Sequence, residues 1–172
     1  MGHSVLLVPV PPLEAFIRAR TEHYDTDYLS SDPDFTHAHI TALGPFLDEL
    51  DAESAALIAA IARATAPFDY RLERIDTFGT GIIHLVPDPD QPFRDLTERL
   101  ARAFPQCPPY EGSFPDTCPH LTLDARTEQV SEESTRALLG SAIPVTARAT
   151  RLDLAWYDAG NCHVVDSWPL GV

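Results

Sequence analysis

Apolar residues recur along this chain with two periods, about two residues in some stretches and about 3.6 in others, and the switches between them mark out the elements. Residues 5–10, Val-Leu-Leu-Val-Pro-Val, form a short apolar run rich in β-branched side chains, which predicts a buried strand stopped by Pro11 and Pro12. Leu13, Phe16, Ile17 and Tyr24 then recur at roughly helical spacing, with Arg18, Arg20 and Glu22 between them on the expected wet side. Residues 25–36 are polar and read as a loop. Residues 38–43, Ala-His-Ile-Thr-Ala-Leu, alternate up to Gly44-Pro45, so a strand is expected with His39 and Thr41 on one face and Ile40 on the other. Asp51 stands where it caps a helix running through Ser54, Ile58, Ile61 and Thr65 and ending before Pro67. Two strands follow, 69–78 and 82–86, joined around Gly79 and Gly81.

The same order then begins again. Phe93, Leu96, Leu100 and Phe104 trace a helical stripe, with Asp90 as the expected N-cap and Pro92 in the first turn. A Pro-rich, aromatic loop covers 105–119, a short strand covers 120–123, a helix 131–141, and two strands, 145–156 and 162–165, turn around Gly160. Each half thus reads helix, His-x-Thr strand, helix, hairpin. Gly81-Ile-Ile-His84 in the first hairpin matches Gly160-Asn-Cys-His163 in the second, which supports an internal duplication. The expected organisation is one domain over 1–172 with approximate repeats at 12–90 and 91–168, strand 5–10 completing the sheets.

Composition narrows the classes. Apolar residues make up 44% and charged residues 22%, ordinary values for a globular chain. No apolar stretch approaches the roughly 20 residues of a spanning helix, and the start lacks a basic, apolar leader, so no membrane partner is expected. The three cysteines, Cys107, Cys118 and Cys162, show no C-x-x-C spacing, which fits a reducing cytoplasm and argues against a cysteine zinc site. A formal charge of −14 argues against gripping long nucleic acid through a basic face, while leaving room for one locally held phosphate. A monomer is the simplest expectation.

The chemistry lies in the two pairs His39/Thr41 and His120/Thr122. With 7 histidines and 14 threonines among 172 residues, composition alone gives about 0.6 His-x-Thr matches. One match would therefore mean little; two, each on an expected strand and one per repeat, mean considerably more. One neutral imidazole accepts a proton while a second, protonated, donates one. Threonine two positions on shares the strand face, and its hydroxyl can donate to a phosphate oxygen.

The segments His39-Ile-Thr-Ala-Leu-Gly-Pro-Phe46 and Pro119-His-Leu-Thr-Leu123 resemble the paired signatures of the two-histidine phosphoesterases, in particular the bacterial 2'-5' RNA ligase and cyclic phosphodiesterase branch. Residues 83–109 are similar to that family as well. The resemblance implies an α+β bilobal fold: two pseudo-symmetric lobes, antiparallel sheets forming a central groove, and helices outside. It also implies catalysis without metal or other cofactor, on a 2',3'-cyclic phosphate or a 2'-5' linked small nucleotide or short RNA end. Carried over by position, His39 and His120 share the roles of base and acid, and Thr41 and Thr122 hold the phosphate. Relatives acting on RNA often carry an arginine soon after the second motif; here Asp124 and Ala125 precede Arg126, which points toward a short substrate.

Blander assignments stand beside these. His84 and His163 are candidate groove-lining residues, although a strand histidine is more often a packed imidazole. Phe78, Tyr110, Trp156 and Tyr157 offer faces for a base, with core or rim packing as the simpler role. Two other functions fit the same residues: a module that binds a nucleotide or RNA end without turnover, and a metal hydrolase ligated by His37, His39 and His120.

Overall fold

The apolar run near the start forms β1 (His3–Pro9), with six of its seven residues buried. Its two faces serve two clusters: Leu6 and Val8 join the main core, while Val5 and Leu7 pack with Phe35, Ala155 and Cys162. Burial on both faces explains why the run is continuous rather than alternating. The structure, a computed structural model, describes residues 1–113 and 117–172.

The remaining elements are α1 (Glu14–Tyr24), β2 (His39–Leu43), α2 (Ala52–Arg63), β3 (Phe68–Thr77), β4 (Ile82–Asp88), α3 (Gln91–Ala103), β5 (Leu121–Ala125), α4 (Glu132–Leu139), β6 (Val145–Ala149), β7 (Arg151–Tyr157) and β8 (His163–Pro169). They build two antiparallel four-stranded sheets, ordered β2-β1-β7-β8 and β5-β4-β3-β6, in a two-lobed α+β fold. Among the described residues no helix is long and apolar enough to cross a membrane.

The sheets exchange hairpins between the halves of the chain. Strand β2, from the first half, shares its sheet with the β7–β8 hairpin of the second; β5, from the second half, shares its sheet with β3 and β4 of the first. Each His-x-Thr segment therefore faces the hairpin of the other half.

Several expected boundaries change. Residues 145–156 form two strands rather than one: β6 pairs with β3, and after Thr150 the chain crosses to the other sheet, where β7 lies between β1 and β8. The pattern marks the crossing, because Ala147 and Ala149 alternate with exposed neighbours, whereas Leu152 to Ala155 are buried on both faces of a central strand. Strand β5 begins at Leu121, so His120 sits just before it. Asp51 caps α2, accepting from the Ser54 N–H at 2.7 Å. Asp90 occupies the cap position of α3 without a capping bond, since its carboxylate binds the Arg94 guanidinium at 2.8 Å instead.

Helix α3 shows what anchors β2. Phe93, Leu96 and Leu100 are buried on its inner stripe, each worth roughly 1.5–3 kcal/mol in burial, and Thr97 donates to the Ala42 carbonyl at 2.7 Å. Helix α1 differs: none of its residues is fully buried, although Phe16 and Ile17 pack against the core. Its inner face serves the groove.

Candidate active site

Residues two apart on a strand share a face. That rule sets His39 and Thr41 in line along β2, with His37 just ahead of the strand; on the other side His120 stands just before β5 and Thr122 on it, and a bulge at Leu123 separates Thr122 from Asp124. Strands β2 and β5 come together where the two sheets meet. A pocket of about 410 Å³ is lined by both His39 and Thr122, and on the other side of His39 a second pocket of about 580 Å³ reaches Thr41, His3, Gly44, Tyr110 and Glu111. His39 thus stands at the junction of two arms of one groove. The backbone of the second arm is strained, because Tyr110 (φ 50°) and Glu111 (φ 55°) are both left-handed without being glycine.

Both motif histidines are held in the same way. His39 Nδ1–H donates to the His37 carbonyl at 2.8 Å, and His120 Nδ1–H donates to the Cys118 carbonyl at 2.7 Å. A ring whose Nδ1 carries the proton keeps Nε2 as its acceptor when neutral and as its second donor when charged. Each imidazole is therefore oriented to take up or give a proton at Nε2.

Burial is the main influence pushing the His39 pKa below 6.5; the carbonyl bond opposes it, and a positive charge on His120 adds to the lowering. For His120, burial again pushes the value down, the Cys118 carbonyl opposes it, and the charge of His84 adds to the lowering. A charge on His120 thus disfavours protonation of His39. That coupling suits a pair in which one is charged and the other is not.

Each motif histidine also leans on an aromatic ring from the hairpin of the other half. Phe78 meets His120 edge-on at 4.8 Å, and Tyr157 lies 5.9 Å from His39 with its hydroxyl 3.4 Å from Nδ1. These rings were the missed part of the repeat. Phe78 and Tyr157 each stand three residues before Gly81 or Gly160, so the shared pattern is aromatic-x-x-Gly-x-x-His rather than Gly-x-x-His.

The two histidines that end this pattern part company. His84 is buried, stacked on Phe78 at 3.8 Å, opposite Thr122 in the β4–β5 ladder and 5.3 Å from the His120 ring. His163, at the start of β8, donates from Nδ1 to the Asn161 carbonyl at 3.2 Å, and among the described residues no ring contact joins it to His39. The structure brings His84 to the site and leaves His163 beside it.

Two further residues enter from α1. Glu14 accepts from His37 Nδ1–H at 2.6 Å and from the Ala38 N–H at 2.8 Å, so one carboxylate clamps the segment whose carbonyl holds His39. Burial raises its pKa, but the bonds from His37 and Ala38 outweigh it and the net value falls below 4.5. The Ser30 N–H donates to His37 Nε2 at 3.1 Å. Both nitrogens of His37 are thereby committed, and the three-histidine metal arrangement loses its first ligand. Among the described residues no other group of His, Cys, Asp and Glu has the makings of a metal site. Arg20 is the second entrant. Its expected place on the wet side is corrected, since Ile17, Arg20, Thr21 and Tyr24 form the helical stripe that lines the 410 Å³ pocket. Arg126 stays exposed beyond β5, and its N–H caps the Gly81 carbonyl at 2.8 Å.

The model of the 2'-5' RNA ligase superfamily matches residues 9–161. Among solved structures, E. coli LigT complexed with 3'-AMP is 17% identical, with 99% of each chain covered and a TM-score of 0.59. TT0787 of Thermus thermophilus is 19% identical over 98% of each chain, with a TM-score of 0.62. LigT has also been seen complexed with ATP, at 15% identity, 99% of this chain and 98% of that one, and a TM-score of 0.57. At such identities the likeness speaks for the fold alone. No curated protein sequence matches the chain.

Proposed function

The chain belongs to the 2'-5' RNA ligase superfamily, and from that premise we propose that it is a phosphodiesterase that opens a 2',3'-cyclic phosphate or cleaves a 2'-5' linked small nucleotide or RNA end, without a metal ion. Family and fold support a phosphoesterase-like role. The observation that carries the finer reading is the matched pair of imidazoles, each held at Nδ1 by the carbonyl two residues back and each left with Nε2 for proton transfer.

In the proposed step a water oxygen attacks phosphorus while one of His39 and His120 takes the water proton at Nε2. The bond from phosphorus to one ribose oxygen breaks, and the other imidazole protonates that oxygen. A ring-opened monophosphate leaves, and a proton exchange with solvent resets the pair. Thr41 and Thr122 donate to nonbridging oxygens as charge shifts in the transition state. LigT complexed with 3'-AMP and with ATP lends support, because both bound molecules are nucleotides.

The test is turnover of the four nucleoside 2',3'-cyclic monophosphates and a 2'-5' linked dinucleotide by purified protein in excess EDTA. A 2'- or 3'-monophosphate product supports the proposal. Saturable binding with no product would replace it with a binding module, and turnover abolished by EDTA and restored by a divalent ion would replace it with a metal hydrolase.

A further inference from the structure

The groove face of β5 does not end at Thr122. Two residues on, past a bulge at Leu123, Asp124 lines the same pocket as Thr122 with its side chain entirely buried, and Arg20 Nη2 reaches it at 2.6 Å. The same nitrogen donates to the Tyr24 hydroxyl at 2.8 Å, and the guanidinium lies over the Tyr24 ring at 4.8 Å. Because 104 residues separate the partners, this pair ties α1 to the β5 sheet across one arm of the groove. The arm is the 410 Å³ pocket that His39 and Thr122 line.

The charge inside that arm is unusual for a place that receives a phosphate ester. Its walls are largely flat and apolar, with Tyr24, Tyr28, Phe35 and Tyr157 among them. Among the described residues Arg20 is its one arginine, and Asp124 neutralises it; Asp25 adds a further negative charge. Arg20 Nε is buried with no partner among the described residues, so the protein does not saturate this guanidinium. An uncharged planar group with hydrogen-bond acceptors suits such a space. A second phosphate beside α1 would meet two carboxylates, and among the described residues the arm's one permanent cation, Arg20, is already paired with Asp124.

We propose that Arg20 and Asp124 are a specificity-determining pair that admits the uncharged base of a singly phosphorylated nucleotide and rejects a substrate whose second phosphate must enter this arm. This rests on the phosphodiesterase reading of the same groove. The pair spends its charge internally, so α1 is held across the groove without creating a polyanion site.

The test compares a nucleoside 3'-monophosphate with the matching nucleoside 3',5'-bisphosphate, by calorimetric binding at low salt, in the wild type and in Asp124→Asn, Arg20→Gln and the double variant. Turnover of the 2',3'-cyclic monophosphate with and without a 5'-phosphate is measured in parallel. Asp124→Asn frees the arginine charge and is expected to shift the preference toward the bisphosphate by about tenfold, the scale of one unscreened charge at partly buried range. Arg20→Gln should shift it the other way, and the double variant, neutral again, should return near the wild-type ratio. If Asp124→Asn does not fold, Arg20→Gln and the double variant still give the sign. Ratios unchanged across all folded variants would overturn the proposal. Shifted binding ratios without any turnover would leave the pair's role standing and sink the phosphodiesterase reading instead.

Discussion

Glu14→Gln tests the least obvious part of the site. The wild-type carboxylate accepts two hydrogen bonds, at 2.6 Å from His37 and 2.8 Å from Ala38, while its side chain remains 28% exposed. A glutamine offers one acceptor and one donor in the same place. Turned one way, its NH₂ opposes the Ala38 N–H. Turned the other, it faces His37 Nδ1, and if that ring changes tautomer to accept, Nε2–H is driven against the Ser30 N–H. Every arrangement loses one bond, and the other loses its charge. With hydrogen bonds to a charged group worth roughly 1.5–3 kcal/mol, the variant should lose about 2–4 kcal/mol of stability. The His37 carbonyl that holds His39 is part of the same segment, so kcat should also fall, by about tenfold for each 1.4 kcal/mol of lost positioning. Urea denaturation at pH 7 reads the first effect and steady-state kinetics the second. The pH dependence gives a further check. Because the folded pKa of Glu14 lies below 4.5, its contribution is present above that value and lost as pH falls through the folded one, so Glu14→Gln should show a flatter stability profile there. An unchanged urea midpoint together with unchanged kcat would refute the clamp.

Four further outcomes follow from the same geometry. Both motif histidines are held below 6.5, so kcat/KM should trace a bell centred below about pH 6.5, whichever imidazole is the base; a plateau extending to pH 8 would contradict this. The same shifts make the unfolded chain take up protons first as pH drops below 6.5, so the wild type should lose stability there, and His39→Ala and His120→Ala should lose less. Thr41→Ala and Thr122→Ala should each lower kcat by about 2–4 kcal/mol of transition-state stabilisation, measured by single-turnover kinetics. Tyr157→Phe should change kcat less than about threefold, since a 3.4 Å hydroxyl contact is weak and His39 Nδ1 already has the His37 carbonyl, whereas Tyr157→Ala should cost about 3–5 kcal/mol of stability.

Most elements were legible because their signals are local, whereas the two-lobed α+β arrangement was implied by the resemblance of the two His-x-Thr segments to a known family. The double-faced run at 5–10, the stripe Phe93, Leu96, Leu100 and the Asp51 cap are each read within a few residues. The hairpin exchange was not, since nothing near Thr150 says which sheet a strand will join; pairing is a long-range choice. The His-x-Thr pairs stand out by chemistry and repetition, but the residues around them enter from afar. Glu14 lies 23 residues from His37 and Arg20 lies 104 from Asp124, and on a helical wheel both simply look solvated. Phe78 and Tyr157 had a readable signal in their shared spacing to Gly81 and Gly160, which only the fold shows to matter.

The most direct measurement is kcat/KM for a nucleoside 2',3'-cyclic monophosphate, in excess EDTA, with the wild type, His39→Ala and His120→Ala, each checked for fold by circular dichroism. Loss of either proton-transfer group should lower the value by about 10²–10⁴-fold while the protein stays folded. Wild-type turnover that survives within about threefold in either variant would contradict the two-histidine account.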